Sequence, residues 1–167
     1  MTVIIFGVSG AGKTTVGKLL SRQLGWRFVE ADDFHPAANI EKMRSGHPLT
    51  DGDRWPWLDR LRRQIEQLLS ARENVVLACS ALKRVYRDRL RVNDEVKFVF
   101  LRGDRALVEK QLRSRHGHFM DANLLQSQFD DLEEPQPDEN VLTIELGRPP
   151  EEIADRIEAK LNLAGSG

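Results

Sequence analysis

Residues 3–14 read Val-Ile-Ile-Phe-Gly-Val-Ser-Gly-Ala-Gly-Lys-Thr, and they restrict the fold more than any other stretch of the chain. An apolar run, Val3 to Phe6, passes directly into Gly7-Val8-Ser9-Gly10-Ala11-Gly12-Lys13-Thr14, which fits the pattern Gly-x-x-x-x-Gly-Lys-Ser/Thr. Glycines let the backbone curl until successive N–H groups face inward, which makes a concave anion site. The helix that begins near Lys13 points its partly positive N-terminus at the same place. Lys13 is placed to reach the β- and γ-phosphates of a nucleotide, and the Thr14 hydroxyl to ligate Mg²⁺. The expected nucleotide contacts are Gly7, Ser9, Gly10, Ala11, Gly12, Lys13, Thr14 and Thr15.

The rest of the chain supplies the sheet that such a loop needs. Val16, Leu19, Leu20 and Leu24 stripe one face of a helix over 13–24, and Gly25 ends it. A short strand over 27–31 runs into Asp32-Asp33-Phe34-His35-Pro36. A short helix over 38–46 and a turn-rich segment, 47–53, precede a longer helix from about Trp55 to Ala71. Residues 74–79 are continuously apolar, as in a strand buried on both faces. A basic helix with Arg84, Arg87, Arg89 and Arg91 leads to a strand over 96–101, and Asp104 is the expected N-cap of the next helix. After a charged stretch, 113–120, come a helix over about 121–132, a last strand from Val141 to Leu146 and a helix opened by Pro149-Pro150. Five strands alternating with helices predict an α/β fold, with a parallel sheet covered by helices on both faces and ligands at the carboxyl ends of its strands. Residues 1–163 read as one domain and 164–167 as a disordered tail.

Composition narrows the function classes. The 167 residues carry a net charge of −1, which argues against nucleic acid as a partner. The one cysteine, Cys79, excludes an internal disulfide framework and a Cys-rich zinc site. No apolar run reaches the ~18 residues of a membrane span, and the N-terminus enters a strand without a leader pattern, so a cytoplasmic location is expected.

A phosphate loop does not by itself separate a kinase from a switch GTPase or a motor. The Asn-Lys-x-Asp sequence of a guanine reader is absent, and the strand at 75–78 ends in Cys79-Ser80 rather than in Asp. The remaining reading is a small kinase with a second substrate site beside the γ-phosphate. Either Asp33 or Asp32 can serve as the base while the other supports the metal with Thr14; Asp33 is taken for the acceptor and Asp32 for the metal, although the residues alone do not say which faces the acceptor. His35 stands at the same strand end. Lys83 and Arg87, spaced i, i+4, offer a clamp for an anionic acceptor, and Arg54 a weaker third cation. Arg113, Arg115, His116 and His118 lie where a closing segment would carry cations toward the phosphates. Trp55 and Trp57 read as packing anchors, and Cys79 as a buried strand residue.

Several segments together resemble the bacterial-type gluconate kinases, within the shikimate-kinase and nucleoside-monophosphate-kinase branch of the P-loop folds. They are the loop Gly7–Thr14, Asp33-Phe34-His35-Pro36, Asn39-Ile40-Glu41-Lys42-Met43, Gly46-His47-Pro48-Leu49 and Asp51-Gly52-Asp53-Arg54-Trp55-Pro56-Trp57-Leu58. Cys79-Ser80-Ala81-Leu82-Lys83, Tyr86-Arg87-Asp88, Gly117-His118-Phe119-Met120, Gln128-Phe129 and Leu132-Glu133-Glu134-Pro135 continue the likeness over nearly the whole chain. The resemblance implies a three-layer P-loop kinase fold with a mobile lid, here about 113–125. It also implies ATP- and Mg²⁺-dependent phosphorylation of D-gluconate to 6-phospho-D-gluconate, and a possible homodimer. The assignments that follow are Lys13, Asp33 and Arg115 for catalysis, and Asp33, His35, Arg54, Lys83, Arg87 and His118 for the acceptor. A kinase for shikimate or a nucleoside monophosphate is the alternative.

Overall fold

Strand β1 (Thr2–Phe6) is buried along its whole length, and its side chains alternate between two cores. The computed structural model describes residues 1–114 and 122–163. With β2 (Arg27–Glu30), β3 (Val75–Cys79), β4 (Val96–Arg102) and β5 (Leu142–Glu145), β1 forms a five-stranded parallel sheet in the order β2-β3-β1-β4-β5. Phe6 pairs with Cys79 on one side and with Phe100 on the other. The loops after three strands therefore leave the sheet side by side, at the end where ligands collect in such folds.

Helices cover both faces. Val3 and Ile5 face a core built with α1 (Lys13–Leu24), α5 (Arg105–Arg113) and α7 (Pro150–Lys160), through Val16, Leu20, Val108 and Ile153. Ile4 and Phe6 face the other core, with α3 (Asp51–Ser70) and α4 (Arg84–Leu90), through Trp57, Leu61, Tyr86 and Leu90. Helix α2 (Ala37–Arg44) follows β2, and α6 (Ala122–Asp131) precedes β5 and buries Leu125.

Local chemistry explains where these helices start and stop. Gly25 closes α1 with φ at 68°, the left-handed conformation that glycine adopts without a Cβ clash. The Asp104 carboxylate accepts from Leu107 N–H at 2.8 Å, as expected of an N-cap. Helix α3 begins at Asp51, four residues before the expected start. The Thr50 hydroxyl accepts from Asp53 N–H at 3.1 Å, and the Asp53 carboxylate accepts from Thr50 N–H at 2.9 Å. This reciprocal box nucleates the first turn, so Pro56 falls inside the helix and not in its opening turn.

The centre of the expected lid, with Arg115, His116 and His118, lies outside the described residues, as does the tail 164–167. Among the described residues no helix is long and apolar enough to cross a membrane.

Candidate active site

The phosphate loop has the geometry its glycines permit. Gly10 and Gly12 hold φ at +84° and +93°, where a side chain would be strained. A Cβ on Gly10 would also lie 2.5 Å from Leu112 Cγ, so α5 packs directly on the loop; a Cβ on Gly12 would meet no protein atom within 4 Å. The Lys13 ammonium curls back over the loop and donates to Gly7 O at 2.9 Å and Val8 O at 3.1 Å. It is thus held at the mouth where phosphate charge is to be bound.

Thr14 finds a partner that sequence reading passed over. Its hydroxyl donates to Glu30 Oε2 at 2.5 Å. Burial pushes the Glu30 carboxyl above its ordinary value, opposed by the Thr14 hydrogen bond and by the Lys13 charge. Two hard oxygen donors thus meet beside the phosphate loop, a set that suits Mg²⁺, which takes few protein ligands and completes its shell with phosphate and water. Among the described residues no group of three or more His, Cys, Asp or Glu gathers as a metal cage. Glu30, not Asp32, is the carboxylate on Thr14. The signal available was its place as the last residue of β2, hidden by the more conspicuous Asp32-Asp33 that follows.

Asp32 and Asp33 sit on one 3₁₀ turn, Ala31–Phe34, and face different ways. Asp32 lines a cleft of about 670 Å³, together with Ser9, His35, Arg54 and Ser80. Asp33 is exposed and is not among the cleft-lining residues. Asp32 is solvent-exposed too, its side chain 65% accessible, but of the two acids it alone borders the cleft.

His35 is buried and stacked on Trp57, with ring centroids 4.3 Å apart and planes at 15°. Trp57 Nε1–H donates to Ala31 O at 2.7 Å, which ties the stack to the turn. The Asn39 amide nitrogen donates to Asp53 O at 2.8 Å and lies 3.2 Å from His35 Nδ1. A carbonyl only accepts, so the Asn39 nitrogen is fixed as donor, and its second proton faces Nδ1. The His35 proton therefore sits on Nε2, 3.9 Å from Asp32 Oδ1. Burial lowers the His35 pKa, against the pull of the Asp32 charge, which favours the neutral ring.

The expected cations separate into three environments. Arg54 lines the cleft, donates to Tyr86 Oη at 3.0 Å and pairs with Asp131 on α6 at 3.2 Å. Lys83 donates to Asp51 Oδ1 at 2.9 Å, beside the Tyr86 ring, and is not among the cleft-lining residues. Hydrogen bonds from Tyr86 and Lys83 hold the Asp51 carboxyl below its ordinary value.

Arg87 corrects the sequence reading. It is wholly buried and binds Glu139 through Nε at 2.8 Å, with further bonds to the carbonyls of Ala81, Leu82 and Glu133. Lys83 is the extended N-cap of α4, so the two residues share no helical face, and Arg87 is a structural tie. Trp57 is a packing anchor as expected, but Trp55 is 39% exposed and only its edge meets Tyr86. Cys79 is buried at the end of β3, and burial raises its thiol pKa steeply. Arg113 is exposed, with Glu109 4.0 Å away.

From α6, Leu124, Ser127 and Gln128 also line the cleft. Gln128 Oε1 accepts from Ser9 N–H at 2.6 Å, and Gln128 Nε2 donates to Ser9 Oγ at 2.8 Å. Sequence reading gave Gln128 no role, since its partner lies 119 positions away.

The site is thus a phosphate loop opening onto a cleft of mixed polar and apolar lining, and comparison with known proteins specifies its kind. An AAA-domain family model matches residues 3–135. A gluconokinase from Gluconobacter oxydans is 43% identical over 156 residues, covering 93% of this chain and 88% of the relative. The chain belongs to the gluconokinase family. Two crystal structures agree with that placement. A gluconokinase from Sinorhizobium meliloti superimposes with a TM-score of 0.84 at 39% identity, covering 96% of this chain and 95% of its own. A sugar kinase from a Janibacter species reaches 0.91 at 43% identity, covering 98% and 95%. Within the gluconokinase family, a loop for the donor and a cleft for a sugar acid are the two halves that a phosphoryl transfer needs.

Proposed function

We propose that this chain transfers the γ-phosphoryl group of ATP to the 6-hydroxyl of D-gluconate, giving 6-phospho-D-gluconate and ADP. The observation that carries the reading is a single cleft that joins Ser9 of the phosphate loop to Asp32, His35 and Arg54. Donor and acceptor then meet in one cleft, where positioning and charge supply most of the catalysis.

In the transfer, the acceptor oxygen bonds to the γ-phosphorus, the bond from that phosphorus to the β–γ bridging oxygen breaks, and the hydroxyl proton passes to Asp32. Lys13, already aimed at the loop mouth, draws the developing charge on the phosphoryl oxygens. His35 Nε2 lies 3.9 Å from Asp32 Oδ1, beyond hydrogen-bond reach, and its neutral ring forms the acceptor wall beside that carboxylate. Arg54 takes the gluconate carboxylate; its partner in this structure, Asp131, is itself a carboxylate. Thr14 and Glu30 would hold Mg²⁺, which supplies charge neutralisation to the phosphates when bound.

The test is a panel of acceptors with ATP: gluconate, shikimate and AMP. Gluconate is expected to give the highest kcat/KM. Higher turnover of shikimate or AMP would overturn the reading.

A further inference from the structure

Helix α6 turns one row of side chains toward the site. Leu124, Ser127 and Gln128 line the cleft, and one turn further on Asp131 holds Arg54. The spacing i, i+3, i+4, i+7 places all four on one helical stripe. The neighbouring stripe is apolar: Leu125 is buried, and Phe129 and Leu132 pack on the core. Helix α6 is therefore seated by its apolar stripe while Leu124, Ser127 and Gln128 face the cleft.

Ser9 is the loop residue that also lines the acceptor cleft. The part of a phosphate loop that borders the acceptor is the part beside the γ-phosphate, because donor and acceptor must meet in line. At this point the Gln128 amide makes two reciprocal hydrogen bonds, with Ser9 N–H at 2.6 Å and with Ser9 Oγ at 2.8 Å. A primary amide is the side chain that can accept from one and donate to the other.

We infer that Gln128 is a positioning residue, which fixes Ser9 and so aligns the γ-phosphate with the acceptor held between α3 and α6. The inference rests on the kinase reading above and adds a residue to it. Gln128 acts through Ser9, so its loss disturbs the transition state more than ground-state binding of either substrate. Because the same helix carries Asp131 on Arg54, one rigid element sets the alignment of both halves of the site.

The experiment uses the full chain with Gln128→Leu and Gln128→Glu. Gln128→Leu removes both hydrogen bonds while keeping the side chain's bulk. With gluconate and ATP it is expected to lower kcat about tenfold, with both KM values within about twofold and the thermal midpoint unchanged. A structural role would instead lower the midpoint. Gln128→Glu still accepts from Ser9 N–H, loses the donor to Ser9 Oγ and adds a charge beside the terminal phosphate. By titration without acceptor it is expected to weaken a non-hydrolysable ATP analogue about tenfold more than ADP. In a Ser9→Ala background, Gln128→Leu is expected to cost clearly less than in the parent, since the two act as one unit. A kcat for Gln128→Leu within twofold of the parent, or equal weakening of both nucleotides by Gln128→Glu, overturns the inference. Failure of the parent chain to phosphorylate gluconate is a separate result and overturns the acceptor reading; the nucleotide titration still decides Gln128.

Discussion

Asp32 and Asp33 are neighbours in the chain, and the 3₁₀ turn that carries them rotates one from the other by about a third of a circle. Only Asp32 lines the cleft. Asp32→Asn is therefore expected to lower kcat by about 10²–10⁴-fold, the range for a general base, with ATP affinity nearly unchanged. Asp33→Asn is expected to leave kcat within a few-fold of the parent. Steady-state kinetics with nucleotide titration separate the two, and a larger loss at Asp33 would return the base to that residue. Lys13→Ala is expected to cost about 10²–10³-fold in kcat with the fold intact, as when one charge-stabilising donor is removed; circular dichroism and turnover check it together. The acids were legible as a pair at a strand end, since sheet topology puts polar residues there to use. Which acid borders the cleft was not legible, because strand alternation stops at Glu30 and gives no register for the 3₁₀ turn that follows.

The elements were the most legible level. Apolar periodicity and glycine stops located the five strands of the described residues and both ends of α1, because both signals are local. The start of α3 was misplaced because Thr50 and Asp53 read equally well as turn residues until their reciprocal hydrogen bonds are seen. Burial in the turn-and-helix unit around His35 gives it a pH signature. Its folded pKa lies below the ordinary value of 6.5, so below that value the unfolded chain takes up the proton first. The stability held at pH 7 is expected to decline as pH falls from 6.5 toward the folded pKa. Thermal midpoints between pH 7.5 and 5.5 should show this slope in the parent and a shallower one in His35→Gln. The tie between α4 and the segment before β5 is another element-scale feature. Side chains of Arg87 and Glu139 are at most 1% exposed, so removing either partner leaves a buried charge. Arg87→Ala is expected to destabilise by about 3–5 kcal/mol, as breaking a buried pair does, measured by denaturant unfolding. If stability held and only the gluconate KM rose, Arg87 would be a substrate ligand after all. Glu139 lies 52 residues from Arg87, and pairing over that distance leaves no mark in local sequence.

At the scale of the whole molecule, β1 sits at the centre of the sheet with its loop between the neighbouring strand ends. A nucleotide bound there contacts the middle of the fold and should stabilise all of it. At one hundred times its dissociation constant, an ATP analogue with Mg²⁺ is expected to add about 2.7 kcal/mol by mass action, read as a raised thermal midpoint. Glu30→Gln should shrink the part of that gain that depends on Mg²⁺; an unchanged gain would remove Glu30 from the metal site. The parallel sheet was readable from the alternation of elements, whereas the joining of loop, turn and α6 around one cleft depends on contacts between distant segments. Cys79, at the end of β3, gives the molecule one more property. Because the one thiol of the chain is buried and held protonated, the native protein offers almost no background to maleimide dyes. A second cysteine placed at exposed Gln126 on α6 would carry a fluorophore alone, so that the motion of that helix during turnover could be followed in an otherwise unaltered chain.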